Sequence, residues 1–186
     1  MLEMASFKWH VLLVLFLLSA SSSFAYEYGN FSRFSTKNGL SSNIVEQIVK
    51  DKDGFLWIAT SKGLNRYDGT NCIQFKHDPN NPNSISADYV RALFIEENDN
   101  IWVGTKGGGL NYFERSTGKF TSFRHVDNSP SSLSNNEVLS VFRDSKSRLW
   151  VGTENGLNLM NEIDGTFKVF LPDATNAVAL PSKAVL

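Results

Sequence analysis

A phrase that begins with tryptophan and occurs three times constrains this chain more than any other feature. The copies begin at Trp57, Trp102 and Trp150, so they are spaced by 45 and 48 residues. In each copy the tryptophan leads into a Gly-Leu-Asn triplet, which ends at Asn65, Asn111 and Asn158. A fixed period of about 20 to 50 residues indicates a repeat architecture, in which each unit is one supersecondary element.

The repetition also covers the residues before each tryptophan. An apolar residue stands 17 positions earlier and a valine stands 12 positions earlier. Six positions before the tryptophan comes an acidic residue, which is Asp51, Glu96 or Asp144. An aromatic residue returns after each triplet, at Phe75, Phe123 and Phe170. Because the register never slips over the first 17 residues, we expect the units to share one packed geometry.

The pattern within each unit predicts four short strands. In the first unit, residues typical of strands cover 44–50, 55–60, 63–67 and 72–77. Asp-Gly pairs suited to hairpin turns follow the first and third of these segments. Apolar residues do not recur at helical spacing, which argues against a helical repeat. Four strands in about 45 residues, with one tryptophan per unit, predict an all-β fold made of propeller blades.

The two ends of the chain complete the predicted domain plan. Residues 1–25 combine Lys8, an unbroken apolar run at 11–18 and small residues up to Ala25, a pattern typical of a secretory signal peptide. The run is shorter than the roughly 20 residues that a membrane helix needs. We expect cleavage near Tyr26. The predicted domains that follow are an N-terminal segment with a closing strand (26–43), blade 1 (44–84), blade 2 (85–132), blade 3 (133–179) and the start of a fourth blade (180–186).

This plan predicts an incomplete propeller of three blades plus the start of a fourth. Known propellers have about four to eight blades, and each blade buries its faces against its neighbours. We therefore expect the chain to be the N-terminal piece of a longer protein. Residues 26–186 on their own should aggregate, associate or fold only partly.

Segments 28–41, 53–60 and 63–69 resemble the opening of the two-component regulator propeller family, and the units at Trp102 and Trp150 resemble it equally. The resemblance spans residues 28–186. It implies a periplasmic, ligand-sensing propeller that belongs to a receptor anchored in the cytoplasmic membrane. The receptor's output would be a histidine kinase, a hybrid kinase or a diguanylate cyclase. The expected partners are a small molecule or glycan as ligand and a second receptor in a homodimer.

Candidate ligand-binding residues lie where each blade begins. The first strand of a propeller blade lines the central channel, and polar residues stand at its start: Asn43, Asp88 and Asn136. The loop after the second strand ends on the same face and adds Lys62, Lys106 and Asn155. We expect a ligand to bind here, and a solvated rim without a ligand is the alternative. Structural roles are predicted for the three tryptophans, in the core, and for the turn glycines Gly63, Gly109 and Gly156.

The remaining candidate residues do not indicate a metal site, a disulfide or a catalytic site. His77 and His125 occupy equivalent positions, but no Cys, Asp or Glu pattern supports a metal site. Cys72 is the only cysteine, so no intrachain disulfide forms. We predict no catalytic residue and no cofactor. The 18 basic and 19 acidic residues form no basic stripe, which argues against nucleic acid. The alternative functions are a secreted propeller enzyme such as a lyase, and a structural or adhesion propeller.

Overall fold

The computed structural model describes residues 32–173 and 180–186, and strands dominate this part of the chain. A short 3-10 turn, Thr36–Asn38, comes first. Twelve strands follow in order: β1 (Val45–Lys50), β2 (Leu56–Thr60), β3 (Gly63–Tyr67), β4 (Cys72–Phe75), β5 (Val90–Ile95), β6 (Ile101–Thr105), β7 (Gly109–Glu114), β8 (Lys119–Phe123), β9 (Val138–Arg143), β10 (Leu149–Thr153), β11 (Gly156–Asn161) and β12 (Thr166–Phe170).

The strands form three separate four-stranded sheets, β1–β4, β5–β8 and β9–β12. Within each sheet the strands follow chain order and every neighbouring pair is antiparallel. No helix occurs within 44–170, all of which is described. The predicted all-β blade architecture is confirmed. Each sheet lies within one predicted unit, and the blade limits themselves stay a prediction.

Each tryptophan lies on the second strand of its blade, between the first and third strands. Trp57 pairs with Val49 and Arg66, and the other two tryptophans occupy the same register position. The pairing of the first and second strands shifts once in every blade, near the start of the first strand. Such a bulge bends a strand and increases its twist. The constant spacing before each tryptophan therefore reflects one shared strand register.

The hydrophobic core lies between blades. One cluster joins Trp57, Ala59 and Leu64 of blade 1 to the facing side of blade 2, including Leu93 and Phe113. A second cluster repeats this arrangement, with residues of blade 2 packed against blade 3: Trp102, Leu110, Leu133, Val138, Leu149, Val151, Met160 and Phe167. Trp57 is fully buried and Trp102 is nearly so. Each blade is therefore stabilised mainly by the next one.

The polar residues buried inside the blades include the asparagines of the three Gly-Leu-Asn triplets, all of which are fully buried. The side-chain oxygen of Asn65 accepts a hydrogen bond from the Ser41 backbone N–H at 2.9 Å, and its amide donates to the Ile58 carbonyl at 3.1 Å. Asn111 and Asn158 accept from the backbone N–H of Ser86 and Ser134 in the same way. The triplet thus ties the third strand to the segment that enters the blade.

The glycine of each triplet opens the third strand in a backbone conformation that favours glycine. Gly109 has φ 78° and Gly156 has φ 114°. A Cβ atom on Gly109 would collide with the carbonyl oxygen of Phe123, and one on Gly156 would lie 2.6 Å from the carbonyl oxygen of Phe170. Both the turn and the close approach of the fourth strand therefore require glycine here.

Two predicted features lie outside the described residues. The signal peptide at 1–25 is one, and residues 26–31 of the N-terminal segment predicted to hold the closing strand are the other. None of the helices in the described part of the chain is long and apolar enough to cross a membrane.

Replacing Asn65 with alanine tests whether the hydrogen bonds of the triplet asparagine stabilise the blade. The change removes the partners of the Ser41 N–H and the Ile58 carbonyl, and a buried polar group without a partner costs about 1–3 kcal/mol. We expect Asn65→Ala to lower the free energy of unfolding by about that amount in urea denaturation. Asn80→Ala, an exposed control, should stay within about 0.5 kcal/mol of wild type. Equal effects of the two substitutions would contradict a role for the triplet.

Candidate functional site

Three of the six predicted ligand residues anchor connecting segments. The side-chain oxygens of Asn43, Asp88 and Asn136 each accept a hydrogen bond from a backbone N–H, at 3.0, 2.7 and 2.8 Å. The donors are Thr36, His77 and His125, which lie in the segments leading into the three blades. This anchoring explains a polar residue at the start of each first strand without reference to a ligand.

The other three predicted residues stay in the loops after the second strands. Lys62 and Lys106 are exposed, and Asn155 is half-buried. Asn155 lines a cavity of about 260 Å³ together with His125, Leu133, Val169 and Leu171. Of the six predicted residues, only Asn155 is among those that line this cavity.

A polar cluster does form where the first strands of neighbouring blades meet. We call it the Tyr89 cluster, and it comprises Glu46, Tyr89, Arg91, Lys106 and Glu154. The Tyr89 hydroxyl donates to Glu46 Oε1 of blade 1 at 2.7 Å. Arg91 Cζ lies 5.9 Å and Lys106 Nζ 6.0 Å from the centre of the Tyr89 ring. Arg91 also reaches Glu154 of blade 3 at 3.9 Å, so the cluster connects all three blades.

Electrostatics in the Tyr89 cluster favour a protonated phenol. The pKa of Tyr89 is raised, first by its hydrogen bond to Glu46, then by desolvation and by the negative charge of Glu46. Such a surface offers one aromatic face, two cations and two carboxylates, which suits a polar ligand that stacks and hydrogen-bonds. Of its members, sequence reasoning predicted only Lys106. Tyr89 and Arg91 could have been found because they flank Val90, the repeated valine of the first strand.

The two equivalent histidines hold connecting segments in place. His77 Nδ1 lies 2.8 Å from the Ile85 carbonyl oxygen, and His125 Nδ1 lies 2.7 Å from that of Leu133. Within residues 32–173 and 180–186, no cluster of three or more His, Cys, Asp or Glu side chains could hold a metal ion. Cys72 is half-buried, and burial raises the pKa of its thiol.

The acidic residue six positions before each tryptophan has a structural role that the sequence left unexplained. It accepts a hydrogen bond from the indole N–H, a contact that we call the indole clamp. The distances are 2.9 Å for Trp57 and Asp51, 2.6 Å for Trp102 and Glu96, and 2.9 Å for Trp150 and Asp144. Asp51 also accepts from the Phe55 N–H at 2.9 Å, so the same carboxylate shapes the predicted hairpin turn.

An arginine of the following blade completes the first two clamps. Arg115 of blade 2 lies 3.5 Å from Asp51 of blade 1. Arg143 of blade 3 pairs with Glu96 of blade 2 and, at 2.9 Å, with Glu162. Arg143 donates hydrogen bonds to both carboxylates, and these bonds, the one to Glu162 first, raise the pKa of Arg143 despite its burial. The Asp51–Arg115 and Glu96–Arg143 ion pairs cross the same junctions as the hydrophobic clusters.

The third clamp differs because its cation comes from the same blade. Arg148 lies 2.7 Å from Asp144. The pKa of Asp144 is well below its usual range, chiefly because the Trp150 indole donates to it and then because Arg148 does. Asp144 therefore stabilises the fold above the pKa of an unfolded aspartate, and this contribution is lost as the pH falls through the lower folded pKa.

Removing a clamp carboxylate tests its role at a junction. Glu96→Ala leaves the Trp102 indole and the mostly buried Arg143 without their shared acceptor. Hydrogen bonds to charged groups contribute about 1.5–3 kcal/mol, and we expect a loss of that size in urea denaturation followed by tryptophan fluorescence. The matched control is Glu97→Ala, since Glu97 is exposed and adjacent. A change no larger than that of the control would rule out the clamp as a stabilising contact.

The hydrogen bond in the Tyr89 cluster predicts a measurable titration. Because Glu46 is the largest cause of the raised Tyr89 pKa, Glu46→Gln should move that pKa down toward the ordinary tyrosine value. Absorbance of the tyrosinate between neutral and alkaline pH measures it, and a Tyr89→Phe variant identifies the contribution of this residue. An unchanged curve in Glu46→Gln would mean that the contact does not persist in solution.

Together, the three sheets, the shared strand register and the cores between them define a run of β-propeller blades. Two segments, residues 39–62 and 132–155, match the profile of the two component regulator propeller family. The resemblance noted in the sequence is thereby confirmed, and the chain carries repeats of this type.

Solved structures and a sequence relative extend this comparison. The extracellular domain of a protein described as a hybrid two component system in B. thetaiotaomicron is 30% identical, with a TM-score of 0.73 over 82% of this chain and 21% of that one. A second such domain is 24% identical, with a TM-score of 0.65 over 82% and 20%. Histidine kinase P4 from Formosa agariphila is 39% identical over 56 residues, which are 30% of this chain and 4% of the kinase.

Virginiamycin B lyase from Staphylococcus aureus shares the fold alone. It is 17% identical, with a TM-score of 0.52 over 74% of this chain and 43% of the lyase. The chain spans about a fifth of the length of the two extracellular domains and a far smaller share of the kinase.

Proposed function

We propose that this chain contributes blades to the extracytoplasmic, ligand-sensing propeller of a membrane-anchored two-component receptor. The observation that carries the proposal is the 30% identity to an extracellular domain of such a system across 82% of the chain. The similarity to histidine kinase P4 supports a histidine kinase as the output of the receptor, with a diguanylate cyclase as the alternative. The chain itself performs no catalytic step in this proposal.

Export follows from the N-terminal sequence. Lys8, the apolar run at 11–18 and the small residues up to Ala25 direct the chain through the cytoplasmic membrane, where the signal is removed. A periplasmic location agrees with the use of a single cysteine, since a lone half-buried thiol has no intrachain partner to oxidise with.

The Tyr89 cluster is the proposed ligand contact. A small polar molecule or a glycan would stack on the exposed part of the Tyr89 ring and bond to Lys106, Arg91 and the flanking carboxylates. Because the cluster draws on three blades, a bound ligand favours one relative placement of the blades over another. In a receptor homodimer this preference would reach the output domain.

Two measurements on the same gene test the proposal. A fusion of residues 1–186 to alkaline phosphatase should be active, since that enzyme needs the oxidising compartment, and a fusion lacking residues 2–25 should be inactive. Sequencing beyond codon 186 should give further tryptophan repeats, a membrane helix and a kinase or cyclase domain.

Either result can contradict the proposal. Equal phosphatase activity with and without residues 2–25 would contradict the prediction that these residues form a signal peptide. A downstream sequence that closes the propeller without a membrane helix would favour a secreted propeller enzyme or an adhesion protein.

A further inference from the structure

The cavity of about 260 Å³ beside Asn155 lies between blade 3 and the segment that leads into it. We call it the Leu133 cavity. His125 and Leu133 line it from the entering segment, Asn155 from the loop after the second strand, and Val169 and Leu171 from the end of the fourth strand. The residues that line it all fall within 125–171, so one blade and its entering segment build the whole cavity.

The walls of the Leu133 cavity are neutral apart from one histidine. None of the described lining residues is Lys, Arg, Asp or Glu, and His125 is the titratable group among them. Nδ1 of His125 lies 2.7 Å from the Leu133 carbonyl oxygen, and Nε2 lies 3.3 Å from the exposed carboxylate of Asp127. Leu133 is fully buried and Val169 is half-buried. These walls suit an uncharged ligand with an apolar body.

Asn155 supplies a hydrogen-bonding group that the fold does not use. Its backbone N–H donates to Thr153 Oγ1 at 3.1 Å. Its half-buried side-chain amide bonds to no other residue in the described part of the chain. The nearby hydroxyl of Ser134 is already engaged by Thr153 and Asn158, at 2.8 and 2.9 Å. The Asn155 amide offers both a donor and an acceptor, so it can fix one polar group of a ligand.

The cavity is open because two positions of blade 3 differ from those of the other blades. The first is on the fourth strand, where Val169 and Gln74 hold the same register position opposite the asparagine of the triplet. In blade 1 the Gln74 side chain crosses to the entering segment and donates to the Gly39 carbonyl at 2.7 Å. Val169 has no polar atom with which to make this contact, so the gap stays open in blade 3.

The second position directly follows the fourth strand, where Leu171 is equivalent to Arg124. In blade 2 Arg124 donates to the Gly107 carbonyl at 3.1 Å and thereby lies across the loop after the second strand. Leu171 cannot form this bond and contributes an apolar wall instead. Blade 3 therefore leaves open a gap that polar side chains bridge in blades 1 and 2.

We infer that the Leu133 cavity is a binding site for a small uncharged ring compound with one hydroxyl group, such as a phenol. Ligand sites usually enclose about 300–1,000 Å³, so a cavity of this size accepts a single ring. The ring packs against Leu133, Val169 and Leu171, and the hydroxyl bonds to the Asn155 amide. A sugar fits less well, because most of its hydroxyls would lack partners against these walls. The cavity shares no residue with the Tyr89 cluster, and the inference does not rest on the proposed sensor function.

A titration of the full chain with p-cresol, a methylated phenol, tests the site by methyl NMR. The methyl signals of Leu133, Val169 and Leu171 should shift and saturate, with a Kd on the order of 1 mM for a ligand of about eight heavy atoms. Toluene, which lacks the hydroxyl, should bind wild type about three- to tenfold more weakly. Asn155→Ala should bind the two probes equally, because the partner of the hydroxyl is gone.

Filling the gap provides a matched pair of variants. Val169→Gln introduces the residue that bridges the same gap in blade 1, and it should weaken p-cresol binding by about tenfold or more. Ser122→Gln makes the same change at the equivalent, exposed position of blade 2 and should leave the affinity unchanged.

Three results would overturn the inference. They are methyl signals that do not shift with p-cresol at about tenfold above the expected Kd, equal affinity of wild type for p-cresol and toluene, and equal weakening by Val169→Gln and Ser122→Gln. The toluene comparison needs no variant, so the inference stays testable if a substitution unfolds the chain. None of these results affects the sensor proposal, which is supported by the sequence similarity and the Tyr89 cluster.

Discussion

Burial of one blade face against the next is the interaction on which the rest of this structure depends. A four-stranded sheet of about 30 residues cannot bury its own large side chains, because a sheet has two faces and no interior. The cores therefore form between sheets, where Trp57 and Trp102 each pack against the following blade. Polar contacts that recur in each repeat keep these faces at the correct spacing.

Two kinds of polar contact hold the faces of neighbouring blades at this spacing. The buried asparagine of each triplet fixes the third strand to the entering segment, and the indole clamp fixes the tryptophan to the turn before its strand. Both satisfy groups that burial would otherwise leave without a partner, and an unsatisfied buried donor is costly. The arginines that join the clamps across junctions then orient neighbouring blades, because a guanidinium bonds in a fixed plane.

The sequence predicted the fold well because the determining interactions recur at a fixed spacing. Each copy of the repeat carries the same pattern for its four strands, its turn glycines and its core tryptophan. The three copies therefore gave three independent indications of the same blade. The candidate site was harder to predict. Asn43, Asp88 and Asn136 repeat because they bond backbone amides, whereas the Tyr89 cluster does not repeat at all. A repeated residue indicates a role that every blade requires. A site built from different residues of several blades does not repeat, so the repeat pattern does not predict it.

The reach of the contacts between blades has an evolutionary consequence. Gln47 bonds both backbone groups of Leu93, Arg115 reaches Asp51 and Arg143 reaches Glu96, and each of these links joins one blade only to its immediate neighbour. A gene for such an array can gain or lose a whole unit by duplication or deletion and still present matching faces at the new junction. Blade number can therefore drift by single recombination events, while point mutation remains free to diversify the residues that no junction uses.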